Sequence, residues 1–179
     1  MSASKSVVIY HSKYGSTKKY AEWISQKTES ALVQVSEFNP QNLKNYSTII
    51  FGSFAYMGKM KAAEFIINNL PLLQDKRLFL FCVSAAPPDG PEHKKILNST
   101  FSPDIQKQFR YFPLHGAYNY SRMDNTDKMI MQVPKFLMWL KWKTTQNSFA
   151  RKFLDEFYTP QDWTDPDFIT PLVTEIQRS

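Results

Sequence analysis

The sequence predicts an α/β fold built on a doubly wound, five-stranded parallel sheet. Short apolar runs alternate along the chain with segments of helical spacing, and three of the runs are almost free of polar residues. Such runs are typical of parallel strands that helices cover on both faces. Regular alternation of strands and helices also favours right-handed crossovers. The five predicted strands are residues 7–11, 31–36, 48–52, 78–83 and 111–118.

The length of 179 residues suits one domain with a full core. The chain contains only 5 glycines and neither a low-complexity linker nor an internal repeat. We therefore expect a single domain over residues 1–179. The lone cysteine, Cys82, excludes an intramolecular disulfide and is expected to lie buried in the fourth strand.

The charge balance favours anionic partners. Lys and Arg number 22 against 16 Asp and Glu, which gives a formal net charge of +6. The excess is spread along the chain and no nucleic-acid-binding signature accompanies it, so nucleic acid is not an expected partner. The amino-terminal apolar run is too short for a signal peptide, and we expect a cytoplasmic protein.

An insert near the fifth strand, residues 119–147, breaks the alternation. Its centre, residues 127–143, is predicted to be a helix rich in Met and Trp that Pro134 kinks or divides. Its apolar surface either packs on the domain's own core or in a homodimer, or contacts a membrane as an interfacial helix. A final helix is expected at roughly 160–177.

The first predicted strand leads directly into a candidate phosphate loop. A glycine in such a turn lets backbone N–H groups converge, and the amino terminus of the next helix adds partial positive charge. Hydroxyl groups add hydrogen bonds, although they also cap helices in the absence of a ligand. Neither a nucleotide P-loop motif nor G-x-G-x-x-G is present. The loop residues are Ser12, Lys13, Tyr14, Gly15, Ser16 and Thr17.

This loop, followed by a helix, resembles the flavodoxin superfamily, whose phosphate loop reads roughly [ST]-x-x-G-x-T. Two later loops extend the resemblance over most of the chain, and in the family they flank the flavin ring. The resemblance implies a sheet of order 2-1-3-4-5 and one bound FMN. The second loop, after Gly52, contains Ser53, Phe54, Ala55, Tyr56, Met57 and Gly58. The third contains Ser84, Ala85, Ala86 and Asp89.

Within the superfamily, the chain is most similar to the menaquinone-dependent protoporphyrinogen oxidases. The shared features are a G-[AS]-x-x-x-x-G second loop and a G-A-x-x-Y turn, here residues 116–120, into a cationic and aromatic insert. The resemblance implies an FMN-dependent oxidoreductase with a quinone or another small-molecule redox partner. One departure is the pair Tyr56-Met57, where that group commonly has Arg-Tyr.

The protein's expected role is to bind and position the flavin, because the cofactor supplies the electron chemistry. Phe54 or Tyr56 is predicted to pack on the flavin face, and Asp89 either faces the flavin or caps the next helix. No catalytic residue or metal site is predicted, since His11, His93 and His115 lack ligand spacing. The alternatives are an electron carrier between proteins and a scaffold that has lost FMN.

Overall fold

A computed structural model describes residues 5–178, which form two compact units. The sheet unit comprises the residues up to Gly116 and those from Trp163 onward, and the helical unit comprises Ala117–Asp162. The predicted insert at residues 119–147 lies inside the helical unit. That both units constitute a single domain stays a prediction.

The strands of the described chain are, in order, β1 (Ser6–Tyr10), β2 (Ala31–Gln34), β3 (Thr48–Tyr56), β4 (Lys59–Met60), β5 (Arg77–Ser84), β6 (Arg110–His115), β7 (Ala117–Tyr118) and β8 (Gln161–Asp162). The helices are α1 (Ser16–Thr28), α2 (Ala63–Asn68), α3 (Pro91–Thr100), α4 (Pro103–Gln106), α5 (Asn125–Thr145), α6 (Ser148–Glu156) and α7 (Thr170–Gln177). Short 3-10 turns join several of these elements.

The main sheet has the predicted architecture. Five parallel strands run in the order β2-β1-β3-β5-β6, and β4 pairs antiparallel with the end of β3. Without this short hairpin strand, the order is the predicted 2-1-3-4-5. Because the strands alternate their side chains, Ile49 and Phe51 enter the core on one face while Ile50 enters the core on the other.

Helix α1 covers the second of these faces. Tyr20, Ala21 and Ile24 follow helical spacing and are fully buried together with residues of α7. Full burial of one large apolar side chain is worth roughly 1.5–3 kcal/mol, so the sheet holds α1 firmly. Helix α1 ends at Thr28, and the left-handed backbone of its C-cap residue, Glu29, terminates the hydrogen-bonding pattern. The helix begins at Ser16, directly after the loop that follows β1.

Several predicted boundaries were wrong, and one is the end of the second strand, which lies at Gln34 rather than at residue 36. The second loop does not begin after Gly52, because β3 continues to Tyr56 and turns at Met57 and Gly58 into β4. Both turn residues have positive φ, as a tight two-residue hairpin requires. The fifth strand ends at His115 rather than at residue 118, because β7 pairs with β8 instead.

The same pairing moves the last helix. Residues 161–162 form β8, so the carboxyl-terminal helix begins at Thr170 rather than near residue 160. Proline at position 171 occupies the first turn of α7, where its missing N–H costs nothing. Cys82 is fully buried in β5, as predicted, and burial raises the pKa of its thiol to about 12.

The helical unit combines the β7–β8 pair with α5 and α6. Helix α5 is continuous through Pro134, which therefore does not start a separate second half. The Asp124 carboxylate caps its amino terminus by accepting a hydrogen bond from the Asp127 amide at 2.8 Å. Within residues 5–178, no helix combines the length and the apolar character that a membrane span requires.

Among the described glycines, Gly52 leaves the least room for a side chain, because it faces the ring of Phe81. A Cβ atom on Gly52 would lie 2.3 Å from the tip of the Phe81 ring. We expect Gly52→Ala to lower the free energy of unfolding by about 1–3 kcal/mol through overpacking. Urea denaturation measures the loss. The control is Gly52→Ala combined with Phe81→Leu, which removes the clashing ring atoms. If the losses in the free energy of unfolding from the two substitutions are additive, the contact with Phe81 is not the reason why residue 52 must be glycine.

Candidate functional site

The carboxyl ends of β1, β3 and β5 lie side by side at one edge of the sheet. The parallel register places Tyr10 beside Gly52 and Gly52 beside Phe81. The loops that follow β1 and β5 and the extension of β3 beyond Gly52 therefore meet at this edge. In doubly wound sheets, ligands bind at this edge, where the strand order reverses. Here the order reverses between β1 and β3.

The first loop exposes the amino terminus of α1. Gly15 has φ 102° and stands at the N-cap, a conformation that a side chain with a Cβ rarely adopts. In the part of the chain that the structure describes, no side chain caps this helix and its first turn contains no acidic residue. The Ser12 hydroxyl accepts a hydrogen bond from the Gly15 amide at 3.2 Å, which shapes the loop. The amides of the first turn thus face a site suited to an anion.

Lys13 connects this loop to the end of β3. Its Nζ atom lies 5.2 Å from the centroid of the Tyr56 ring and 5.3 Å from that of Tyr14. Lys61, which follows β4, approaches the Tyr56 ring at 5.4 Å. Cations at these distances interact favourably with an aromatic face. The site therefore places positive charge beside a half-buried aromatic ring.

Phe54 lies on the same side of β3 as Tyr56, two residues earlier. Its ring meets the His11 imidazole edge-on at 5.5 Å and the Tyr56 ring at 6.3 Å. Burial, followed by the charge of Lys61, lowers the pKa of His11, so this imidazole is held neutral. An apolar, neutral surface thus lies next to the cationic loop.

The remaining residues of the predicted second loop have different environments. Ser53 is fully buried on the opposite side of β3, where its hydroxyl accepts a hydrogen bond from the Ala62 amide at 3.0 Å. Ala55 packs against the same core. Met57 and Gly58 form the exposed hairpin turn. Phe54 and Tyr56 are therefore the members of this set whose side chains lie beside the first loop.

A buried histidine, His93, holds the third loop, which follows β5. The Nε2 atom of His93 lies 3.1 Å from the Ser84 hydroxyl and 3.2 Å from the Ala86 carbonyl oxygen. Its Nδ1 atom lies 3.2 Å from the Tyr111 hydroxyl. Burial, the largest cause, lowers the pKa of His93. A neutral imidazole that bridges loop and sheet gives the loop a fixed backbone shape.

Other residues of this loop point outward. Asp89 is exposed, and Gly90 rather than Asp89 occupies the N-cap of α3. The Ala85 carbonyl oxygen lies 3.2 Å from Nε2 of His115, at the end of β6. The His115 ring stacks on Trp163, with centroids 4.7 Å apart and planes at 5°.

The chain returns to the sheet unit beside α1. The Gly116 carbonyl accepts a hydrogen bond from the Trp163 amide at 3.0 Å. The Lys19 ammonium then donates to the Thr164 hydroxyl at 2.6 Å. The Tyr20 hydroxyl donates to the His115 carbonyl and accepts from the Asp165 amide. Residues 163–165 are thereby attached to the first turns of α1.

Sequence reasoning missed the role of several of these residues. His11, Lys61 and Trp163 carried no motif, and only the hairpin and the returning segment bring them to the carboxyl edge. The position of His11, directly after β1, was the one available signal. Among the described residues there is no cluster of His, Cys, Asp or Glu that could hold a metal ion.

A comparison with protein-family models agrees with this architecture. A family model described as a flavodoxin domain matches residues 7–148, most of the chain. No curated protein matches the chain. Among solved structures, the flavodoxin, WrbA-like protein from Agrobacterium tumefaciens has 28% identity and a TM-score of 0.48, covering 59% of this chain and 73% of that one.

Two further solved structures are more distant. Oxidised flavodoxin 1 from Bacillus cereus has 16% identity and a TM-score of 0.44, with 63% of this chain and 84% of that one covered. The Trp repressor binding protein from Bacillus subtilis has 13% identity and a TM-score of 0.47, with 63% and 87% covered.

The buried histidine predicts a pH dependence of stability. The pKa of His93 lies below its usual value of 6.5, so the unfolded chain binds the proton more tightly than the folded chain does. The stabilisation is complete above about pH 6.5 and is lost as the pH falls toward the folded-state pKa. Urea denaturation at several pH values between about 7.5 and 5.5 measures it.

His11 acts in the same direction, because its pKa is also lowered. The double variant His11→Gln, His93→Gln should therefore lose less stability on acidification than the natural chain, and the single His93→Gln variant should lie between them. An unchanged pH slope in the double variant would show that other groups set the dependence.

Proposed function

The chain belongs to the flavodoxin domain family, and from this premise we propose that it binds one FMN non-covalently and acts as an oxidoreductase. The observation that carries the proposal is the 5.2 Å contact between Lys13 and the Tyr56 ring. It joins an uncapped helix amino terminus to an aromatic surface at one edge of the sheet. A flavin mononucleotide requires both features, one for its phosphate and one for its ring.

The phosphate end is the first turn of α1. Its amides, and the hydroxyls of Ser12 and Ser16, would donate hydrogen bonds to the phosphate oxygens. Lys18 lies in the same turn, where a cation opposes the helix dipole at a cost of up to about 1 kcal/mol. A bound phosphate would reverse that effect. A capping side chain or an acidic first turn would compete with the phosphate, and the described residues contain neither at this helix.

The ring end is the surface formed by Phe54 and Tyr56 on β3, and the loop that His93 supports follows the neighbouring strand β5. FMN, when bound, supplies the one- and two-electron chemistry. Lys13 and Lys61 place positive charge beside the ring position and would stabilise negative charge that reduction adds there. They also supply the positive charge that an arginine commonly contributes in the protoporphyrinogen oxidase group. Backbone groups of Ala85 and Ala86 would bind the ring edge.

We further propose that the substrate is planar and anionic, such as protoporphyrinogen, and that a quinone accepts the electrons. The resemblance at residues 116–120 and the net charge of +6 support this choice. The second candidate function is an electron carrier between proteins, which the flavodoxin fold of the chain also supports. Carriers of this superfamily are usually acidic, matching basic partner proteins, so the positive charge disfavours that role.

The phosphate loop is tested by Gly15→Val. A β-branched residue strains the left-handed backbone at φ 102° by about 1–3 kcal/mol and crowds the approach to the helix amides. We expect FMN affinity to fall by about 100-fold or more. Fluorescence titration of the apoprotein with FMN measures it.

The matched control is Glu29→Val, at the other end of the same helix, where φ is 52°. This variant suffers similar strain but should bind FMN as the natural chain does. Equal affinity losses in the two variants would indicate general destabilisation rather than a phosphate site.

The activity is tested with the purified protein as it is isolated. We expect visible flavin absorbance, and oxidation of protoporphyrinogen that depends on added menaquinone. Release of FMN by Gly15→Val should abolish the turnover. A colourless protein that takes up no FMN would leave only a scaffold role. An electron carrier would be yellow and would not reduce the quinone. It would accept electrons from a flavin reductase and pass them to a haem protein.

A further inference from the structure

A stripe of exposed apolar side chains runs along α5. We define the lipid stripe as Met129, Val133, Phe136, Leu137 and Leu140. These side chains are between 44% and 74% exposed. Met129, Val133, Phe136 and Leu140 are separated by four, three and four residues, which places them on one face of the helix. A continuous apolar patch of this kind marks a contact surface.

The stripe is not the face with which α5 packs in its own unit. Asp127 is buried, and Pro134 and Met138 are half-buried, on the opposite side of the helix. The side chains of the stripe therefore turn away from the helical unit's own core. Packing within the helical unit therefore covers one face of α5. The opposite face, the lipid stripe, has no partner in the described structure.

The charges on α5 identify the kind of partner. The helix carries Lys128, Lys135, Lys141 and Lys143, while its one acidic residue, Asp127, is buried at the amino-terminal end. Across residues 5–178, no carboxylate forms an ion pair with any of these four lysines. On α6, by contrast, Arg151 and Lys152 pair with acidic residues one turn later. Lys135 is half-buried and donates to the Tyr158 hydroxyl at 2.6 Å, whereas Lys141 and Lys143 are exposed at the edges of the stripe. Two cations without a carboxylate partner among the described residues thus flank the apolar stripe.

We propose that α5 lies flat on an anionic lipid bilayer, with the lipid stripe inserted between the acyl chains. Lysines flanking such a stripe extend their ammonium groups to the head groups. Trp139, at the edge of the stripe and 44% exposed, suits the same boundary. The helix binds at the surface and does not cross the membrane. The inference depends on the helical unit alone, whether or not the sheet unit binds FMN.

A second copy of the chain is the main rival, since the stripe's spacing also suits helix pairing. Pairing two copies along the stripe would place Lys141 and Lys143 of each helix at the contact, four lysines in all, with no exposed α5 carboxylate to neutralise them. Lys143 follows Leu140 by three residues, so it continues the stripe and would enter the seam. Like charges at such a contact are unfavourable. The charge pattern therefore favours an anionic lipid surface.

The test is co-sedimentation of the full chain with vesicles of phosphatidylcholine containing phosphatidylglycerol, and with pure phosphatidylcholine. We expect binding to the anionic vesicles that weakens with added salt. Lys141→Gln with Lys143→Gln should weaken it by about 25-fold, at roughly fivefold for each lysine. Phe136→Ser with Leu140→Ser should abolish it at high salt. The matched control, Lys94→Gln with Lys95→Gln, alters two exposed lysines on α3 and should bind normally.

Analytical ultracentrifugation of the same proteins distinguishes a stripe that binds lipid from a stripe that binds a second copy of the chain. The proposal is supported if the natural chain is a monomer that binds anionic vesicles and if both double variants of α5 weaken that binding. A dimer that Phe136→Ser with Leu140→Ser converts to a monomer, without vesicle binding by either form, overturns it. Equal loss of binding in the α3 control overturns it as well. Circular dichroism checks that each variant folds, and flavin absorbance in each sample reports separately on FMN.

Discussion

The parallel hydrogen bonding of β1, β3 and β5 is the constraint on which the rest of the structure depends. Its register aligns Tyr10, Gly52 and Phe81, so three chain reversals occur at one edge. The absence of a side chain at Gly52 gives the Phe81 ring its space. Because the sheet is buried on both faces, a shift of register would exchange the two cores. The positions of α1 and of the aromatic pair on β3 follow from this arrangement.

The sequence predicted the elements whose signals are local. The apolar runs identified all five parallel strands, and a glycine followed by hydroxyl residues identified the loop before α1. The hairpin at Met57 was missed because methionine rarely adopts a positive φ, so the pair Met57-Gly58 is a weak turn signal. The β7–β8 pair was missed because its partners are far apart in sequence. Contacts of that kind leave no trace in local periodicity.

The electrostatic organisation is more specific than the net charge of +6 suggests. At the carboxyl edge, Lys13 and Lys61 both approach the ring of Tyr56. Beside Lys61, burial and the lysine charge lower the pKa of His11, whose ring contacts Phe54. Positive charge at this edge therefore lies on lysine side chains next to a neutral imidazole.

The hydrogen bond between Gly116 and Trp163 has a consequence for the history of the chain. The polypeptide leaves the sheet and rejoins it at a single point, so whatever lies between behaves as a closed loop. The entropy of closing such a loop rises by only about 0.6 kcal/mol for each doubling of its length. The intervening segment can therefore be lengthened, shortened or exchanged between lineages at little cost to the sheet. Selection can therefore act on the carboxyl edge of the sheet and on the appended helices at different rates.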